Sequence, residues 1–460
     1  MSEHPSSFLI SAPSSNSGKT SIMLGLLRAL KERGLRVQPF KCGPDYIDTI
    51  HHTTAAGKQS VNLDTFMASS EHVKNVYWHY SGKVDVSVAE GVMGLFDGAD
   101  RMVGSSAEIA TLLDIPVILV INARSMAYSA APLIYGFKNF NKNVRVVGVI
   151  FNFVNTVSHY RFLQDACEDA GVEALGYLPE NRNLSIPSRH LGLHISAETD
   201  YEAIIQKLAE QIPLTVNLDR LLEITSLPIV QTENKKEAIA AQTSAKLRIT
   251  IARDEAFSFT YHQNIEVLSH FGEITWFSPM RDSHLPETDL LYLPGGYPEL
   301  FAQTLADNES MRESIHQYCQ KGGLTYAECG GLMYLGKTLV TNKGESFPMT
   351  GVLNCNTSME SAKMILGYRI MHWNGQDIRG HEFHYSKISD EKLQTEPATL
   401  TNAKGIAVDT KLYRSKNTFA SYTHLYWGDK PEFIEQLIKT AINAESQSPS
   451  GDSRQPKAEV

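Results

Sequence analysis

The first half of the chain is punctuated by unbroken apolar runs rich in β-branched residues. They are SFLISA (7–12), LRVQPF (35–40), VDVSVAE (84–90), PVILVIN (116–122) and VRVVGVIFN (144–152). A strand with one wet face alternates, whereas one buried on both faces does not, so these runs predict a parallel sheet covered by helices. Between the first two, residues 21–33 read as a helix closed by Gly34, with Lys31 and Arg33 in its last turn. Strand, helix, strand in this order predicts βαβ units and a doubly wound α/β domain. A second series, 247–253, 274–278, 289–295 and 324–328, predicts a second doubly wound α/β domain. The pattern lapses at 215–246, read mainly as an interdomain connection with room for a short helix, and at 444–460, a tail too poor in apolar residues to fold. The expected domains are therefore 1–214 and 247–443, and no internal repeat is found.

Composition agrees and narrows the partners. A chain of 460 residues is too long for one ordinary core and suits two. Its formal net charge of −9, with no long Lys/Arg run, argues against nucleic acid or an anionic membrane surface as a partner. No stretch approaches the roughly 18 apolar residues of a membrane span, and the opening residues lack the pattern of a signal peptide. Five scattered cysteines without a CxxC pair suggest reduced thiols, so a cytoplasmic location is expected.

The segment 11–20, SAPSSNSGKT, falls where the first strand hands over to the first helix. A phosphate-binding loop needs small residues that let backbone N–H groups wrap phosphate, a Lys for the outer oxygens and a hydroxyl for Mg²⁺. Ser17, Gly18, Lys19, Thr20 and Ser21 supply that end of the pattern, although Pro13 stands where the strict motif has Gly. A Ser-rich helix-capping turn is the plainer alternative; the strand–loop–helix context favours an ATP site. Asp45, in KCGPDYID, follows the second predicted strand, and Glu90, in EGVMGLFDG, ends the third. Carboxylates there lie beside the loop, so with Thr20 they are the candidate Mg²⁺ ligands. Each alone reads more readily as a solvated loop acid or a helix cap; the phosphate loop and the flanking glycines favour the metal. Asp48 and Asp97 are candidate substrate contacts that also suit turns.

In the second domain, LTYAECGGLMY (324–334) reads as strand, sharp turn and helix. A cysteine raised on such a turn is an exposed nucleophile, and the following helix N-terminus favours its thiolate. The backbone N–H groups of Gly330, and of Gly296 in LPGGYP, are candidate donors to an oxyanion. A lone cysteine is more often structural; the turn and the paired glycines favour Cys329 as nucleophile. Its base is not fixed by spacing: His424 in SYTHLYW competes with His381 and His384 in RGHEFHY. HEFH also resembles a metal motif, but two histidines at i, i+3 without a third ligand make zinc a weak reading.

Taken in order, these blocks together with NLDTF, NARSMAYSAAPL, IPSRHLGL, ARDEAFSFTY and LGYR resemble the cobyrinic acid a,c-diamide synthases. The resemblance runs over nearly the whole chain apart from the connection and the tail. It implies an N-terminal P-loop domain related to dethiobiotin synthetase and a C-terminal triad-type (class I) glutaminase. It also implies Cys329 as nucleophile, His424 as its base, and ATP, glutamine and a cobyrinic acid-type tetrapyrrole as substrates, with Mg²⁺. Familiar triad glutaminases carry Glu two residues after the His; Tyr426 stands there, so a Cys–His pair with an open third partner is implied. Hydrogenobyrinic acid and nickel-sirohydrochlorin are alternative substrates. Cobyric acid synthase fits KCGPDYID less well, and a regulatory P-loop ATPase would have no use for the cysteine turn. A glutaminase with a degenerate nucleotide site is the reading Pro13 leaves open. Nothing in the spacing reports oligomeric state; a homodimer is the assembly held open.

Overall fold

The computed structural model describes residues 5–181, 184, 200–227, 246–361, 363–389 and 393–446. These form two compact units, one drawn from the residues up to 227 together with Tyr261–Gln263, the other from the remainder. The expected connection therefore shrinks to 228–245, which lies outside the described residues, as do IPSRHLGL and the tail beyond 446.

In the first unit seven strands pair in parallel: β1 Ser6–Ser11, β2 Val37–Cys42, β3 Val61–Leu63, β4 Val86–Glu90, β5 Val117–Asn122, β6 Val146–Val154 and β7 Glu173–Pro179. Their order is β3-β2-β4-β1-β5-β6-β7. The chain runs outward through β2 and β3, returns with β4, then crosses β1 to build the other side. The C-terminal ends of β1, β2 and β4 thus open at a switch point, where ligands of such sheets bind. Phe8, Ile10, Val86, Val88, Ile118 and Val120, spaced two apart, share one core. Ile22, Leu26 and Leu30 of helix α1 (Lys19–Glu32) and Ile205, Leu208 and Ile212 of the helix Tyr201–Thr215 cover them at helical spacing.

The stretch read mainly as a connection from 215 begins with a short helix, Leu218–Ile224, capped by Asn217, whose side chain accepts from the Arg220 N–H. Leu218 and Leu221 are buried in the same core, and Ser7 donates its N–H to the Thr225 carbonyl. Seven residues show too few turns for a period to stand out, so the sequence looked unpatterned.

The second unit carries β8 Leu247–Ala252, β9 Gly272–Phe277, β10 Leu290–Leu293 and β11 Leu324–Glu328, all parallel. The strand Thr418–Ser421 continues the sheet in parallel beside β11. Leu291 and Leu293 face one core while Leu290 and Tyr292 face another, which is why these runs are apolar without a break. Antiparallel strands were not predicted. Ile365–Trp373 and Gln376–His384 form a hairpin flanked by Thr399–Asn402 and His424–Leu425. The last helix, Glu432–Ser446, passes the expected domain end at 443. Among the described residues no helix is long and apolar enough to cross a membrane.

Candidate functional site

The loop between β1 and α1 begins at a buried strand and ends at a helix whose first residue is Lys19. Gly18 sits at φ +91°, and a Cβ there would lie 1.8 Å from Nδ2 of Asn152. Only glycine meets both demands. The same Asn152 amide donates to the Ser17 carbonyl at 3.1 Å, and the Ser17 hydroxyl donates to Ser14 O at 2.9 Å. Ser14, Ser15 and Asn16 form an exposed tip. The Lys19 ammonium reaches across to donate to Met93 O (2.6 Å) and Ser14 O (3.4 Å). Burial lowers its pKa to about 8, and Lys41 pushes the same way against Glu90. Ser21 stands in the first turn of α1, half-buried.

Beneath the loop lies a buried charged cluster. Thr20 donates its hydroxyl to Oε1 of Glu90 at 2.7 Å, and Nε2 of His52 sits 2.5 Å from Oε2. Lys41 Nζ lies 2.6 Å from Asp48 and 3.4 Å from Glu90. Burial works against its charge, but the two carboxylates outweigh it and hold the ammonium well above its usual range. Burial likewise opposes ionisation of Glu90, yet Lys41 and His52 keep its pKa below the ordinary value. Asp48 is therefore an ion-pair partner of Lys41. Asp45 uses Oδ1 to accept from the N–H groups of Ile47 and Asp48, capping the helix Ile47–Ala56. Asp97 accepts from the Gly94 N–H in the turn that carries Met93, within electrostatic reach of Lys19. Lys41 and His52 were not singled out in the sequence. Lys41 opens KCGPDYID at a strand end, a readable signal; His52 had none, because it meets Glu90 only across the fold.

In the second unit Cys329 follows β11 directly and opens the short helix Gly330–Leu335. Its backbone is held at φ +45°, ψ −101°, a conformation that side chains avoid and that persists where the surroundings over-determine it. Its N–H donates to Ser421 O at 2.8 Å, tying the turn to the neighbouring strand that leads to His424. A Cβ on Gly295 would come within 2.2 Å of Cε1 of His424, and one on Gly330 within 2.9 Å of the Gly296 nitrogen. The LPGG loop, the ECGG turn and the histidine therefore converge.

The electrostatics differ from the expected thiolate. Burial first, then the carboxylates of Glu299 and Glu382, raise the Cys329 thiol far above its usual range, outweighing the Gly330 N–H. Burial and the neighbouring His381 and His384 hold His424 well below the usual imidazole value. Both shifts favour the uncharged forms, a protonated thiol and a neutral imidazole, because moving the proton between them would create two buried charges. A six-residue helix supplies too little dipole to offset full burial.

His381 and His384 belong to the surroundings of this pair. The His381 ring stacks on His424 at 5.1 Å, and burial with Arg369 lowers its pKa to about 3. His384 stacks on Tyr422 at 3.8 Å and meets Glu382 at 2.9 Å, while Arg369 meets the other Glu382 oxygen at 2.5 Å. These side chains are spent on one another, and among the described residues no cluster of three His, Cys, Asp or Glu forms a metal site.

Comparison with known proteins joins the two halves. Residues 8–193 match the CobQ/CobB/MinD/ParA nucleotide binding domain, and residues 248–432 the CobB/CobQ-like glutamine amidotransferase domain. The chain is 40% identical over 451 residues to the cobyrinate a,c-diamide synthase of Picrophilus torridus, covering 95% of this chain and 99% of that protein. It is 40% identical to the enzyme of that name from Listeria innocua, over 94% and 98% of the two chains. For the Dehalococcoides mccartyi (strain CBDB1) enzyme the identity is 38%, over 94% and 97%.

Proposed function

The chain belongs to the cobyrinate a,c-diamide synthase family, and from that premise we propose that it converts the a and c carboxylates of cobyrinic acid to amides, using ATP and glutamine nitrogen. One observation carries the reading: a phosphate loop whose lysine and threonine face a buried carboxylate, and a strained cysteine turn that converges with the LPGG loop and a buried histidine, occur in one chain. Neither half alone needs the other. Amide synthesis from glutamine nitrogen needs both.

A carboxylate is a poor electrophile, since its oxygen cannot leave as oxide. Transfer of the γ-phosphoryl group makes an acyl phosphate, whose leaving group is phosphate. Lys19 turns from Met93 O to the phosphate oxygens, and the backbone of residues 14–19 wraps them. The Thr20 hydroxyl and the Glu90 carboxylate are hard oxygens 2.7 Å apart at a strand end, a donor pair that fits Mg²⁺. Asp45, which caps the neighbouring helix through Oδ1, is the further carboxylate proposed to reach the ion. When bound, Mg²⁺ neutralises phosphate charge. Asp48 holds Lys41 beside this group, and Asp97 stands on the substrate side.

At the second site His424 takes the thiol proton as Cys329 attacks the glutamine side-chain amide. The N–H groups of Gly296 and Gly330 receive the oxyanion. The nitrogen leaves as ammonia with the proton from His424, and water then hydrolyses the thioester to glutamate. Ammonia displaces phosphate from the activated carboxylate.

The test is mass spectrometry of the protein supplied with cobyrinic acid, MgATP and glutamine. Each O-to-NH exchange lowers the mass by about one unit, and two successive losses are expected. Parallel reactions with hydrogenobyrinic acid and nickel-sirohydrochlorin decide between macrocycles. Turnover of either in preference to cobyrinic acid would overturn the substrate assignment.

A further inference from the structure

We infer that Glu328, the residue immediately before Cys329, is the positioning acid of the glutaminase, fixing the His424 ring through Nδ1 and balancing the charge it takes up. The inference rests on the glutaminase reading above. A histidine that accepts a thiol proton and later returns it needs a third group to hold its ring and offset the imidazolium charge. Tyr426, two residues after His424, cannot supply a carboxylate.

Glu328 ends β11 and is 1% exposed. Its Oε2 lies 3.8 Å from Nδ1 of His424, at ion-pair distance, and accepts the Tyr292 hydroxyl at 2.8 Å. Its Oε1 accepts the N–H of Leu425, the residue after His424, at 2.9 Å. One carboxylate therefore holds the backbone that carries the ring and stands within ion-pair distance of the ring itself, and it is joined to the nucleophile by a single peptide bond. The other groups facing His424 are committed elsewhere. Glu382 is held by Arg369, His384 and Thr410, and His381 is a neutral stacking ring. With Nδ1 on the Glu328 side, we assign the exchange of the thiol proton to Nε2.

The charge balance follows. The Cys329 proton passes to His424, sulfur bonds to the amide carbon, and the imidazolium returns that proton to the departing nitrogen as the C–N bond breaks. In the second half water gives a proton to His424 while its oxygen attacks the thioester, and the released sulfur recovers the proton. An imidazolium forms in both halves, each time beside Glu328. Burial raises the Glu328 carboxyl to about 8, while the Leu425 N–H and the hydroxyls of Tyr292 and Tyr326 pull it down. It thus sits close to the point where a neighbouring positive charge tips it into the ionised form.

Glu328→Gln tests this, because its amide oxygen still accepts from Leu425 and its volume is unchanged while the charge is gone. Expected is a fall of at least about a hundredfold in glutamine-dependent kcat, with ammonium-dependent amidation unchanged. The wild-type glutaminase rate should rise with pH through the region of 8, and the variant should lose that limb. Glu328→Asp should restore part of the rate, and Tyr292→Phe, which keeps the charge, should stay within a few-fold of wild type. A Glu328→Gln protein with wild-type glutamine-dependent rate and pH profile would overturn the inference. So would a Tyr292→Phe loss as large as that of Glu328→Gln, which would make the network a brace for the fold. Absence of glutamine hydrolysis in the wild-type protein would instead sink the glutaminase reading itself.

Discussion

Replacing Lys41 by Met would leave Asp48 and Glu90 as two buried carboxylates around the space the ammonium fills. Removing one partner of a buried pair costs about 3–5 kcal/mol unless the acids take up protons, and protonated Glu90 no longer suits a cation. The expected result is loss of amidation with glutamine and with ammonium alike, while glutamine hydrolysis continues; a glutaminase assay beside an amidation assay checks it. Cys329 offers a second test. At φ +45° an alanine bears the same strain as the cysteine, whereas glycine does not. Cys329→Gly should therefore be more stable than Cys329→Ala by about 1 kcal/mol, after glycine's extra freedom in the unfolded chain is set against the relief. Urea denaturation of the two inactive proteins measures it. A Cys329→Gly protein less stable than Cys329→Ala by about 0.4–1 kcal/mol, glycine's entropic cost alone, would mean that the turn bears no strain.

Elements carry their own consequences. The helix Leu218–Ile224 lies in a stretch that looks like a connection, yet Leu221 is fully buried in the first unit's core. Leu221→Ala should cost about 2–5 kcal/mol, as for other buried leucines, where a residue in a solvated connection would cost under about 0.5 kcal/mol. The denaturation midpoint of the first unit reads this directly. The phosphate loop is equally intolerant for a different reason. Gly18→Ala adds a methyl 1.8 Å from the Asn152 amide on a backbone at φ +91°. Either the loop or the Asn152 brace must move, so the KM for ATP should rise more than about tenfold, the equivalent of roughly 1.4 kcal/mol of lost binding. Glutamine hydrolysis by the second unit should be untouched.

At the scale of the whole molecule the division of labour makes the sharpest prediction. In the proposed mechanism Cys329 serves only to release ammonia, so Cys329→Ala should lose glutamine-dependent amidation completely yet retain it with ammonium salts. Product mass spectra with each nitrogen source decide the matter. Loss of both activities in a protein that still binds ATP would mean that the two chemistries are not separable. Two units with separate cores also need not unfold together, so a melt of the intact chain is expected to depart from a single two-state transition.

The division into two α/β units was legible in the sequence, because strands buried on both faces must be continuously apolar and helices between them must repeat at 3.6 residues. The glycines, lysine and cysteine of the loops were legible too, since small residues at a strand-to-helix turn reflect a local backbone requirement. What the chain could not announce are partnerships between residues distant in sequence. His52 finds Glu90 from 38 residues away, and Glu328 finds Leu425 from 97. Lys41 counts as a site residue only once Asp48 and Glu90 surround it. The protonation of Cys329 and His424 also belongs to the fold: a motif states which atoms are present, whereas burial decides which of them carry charge.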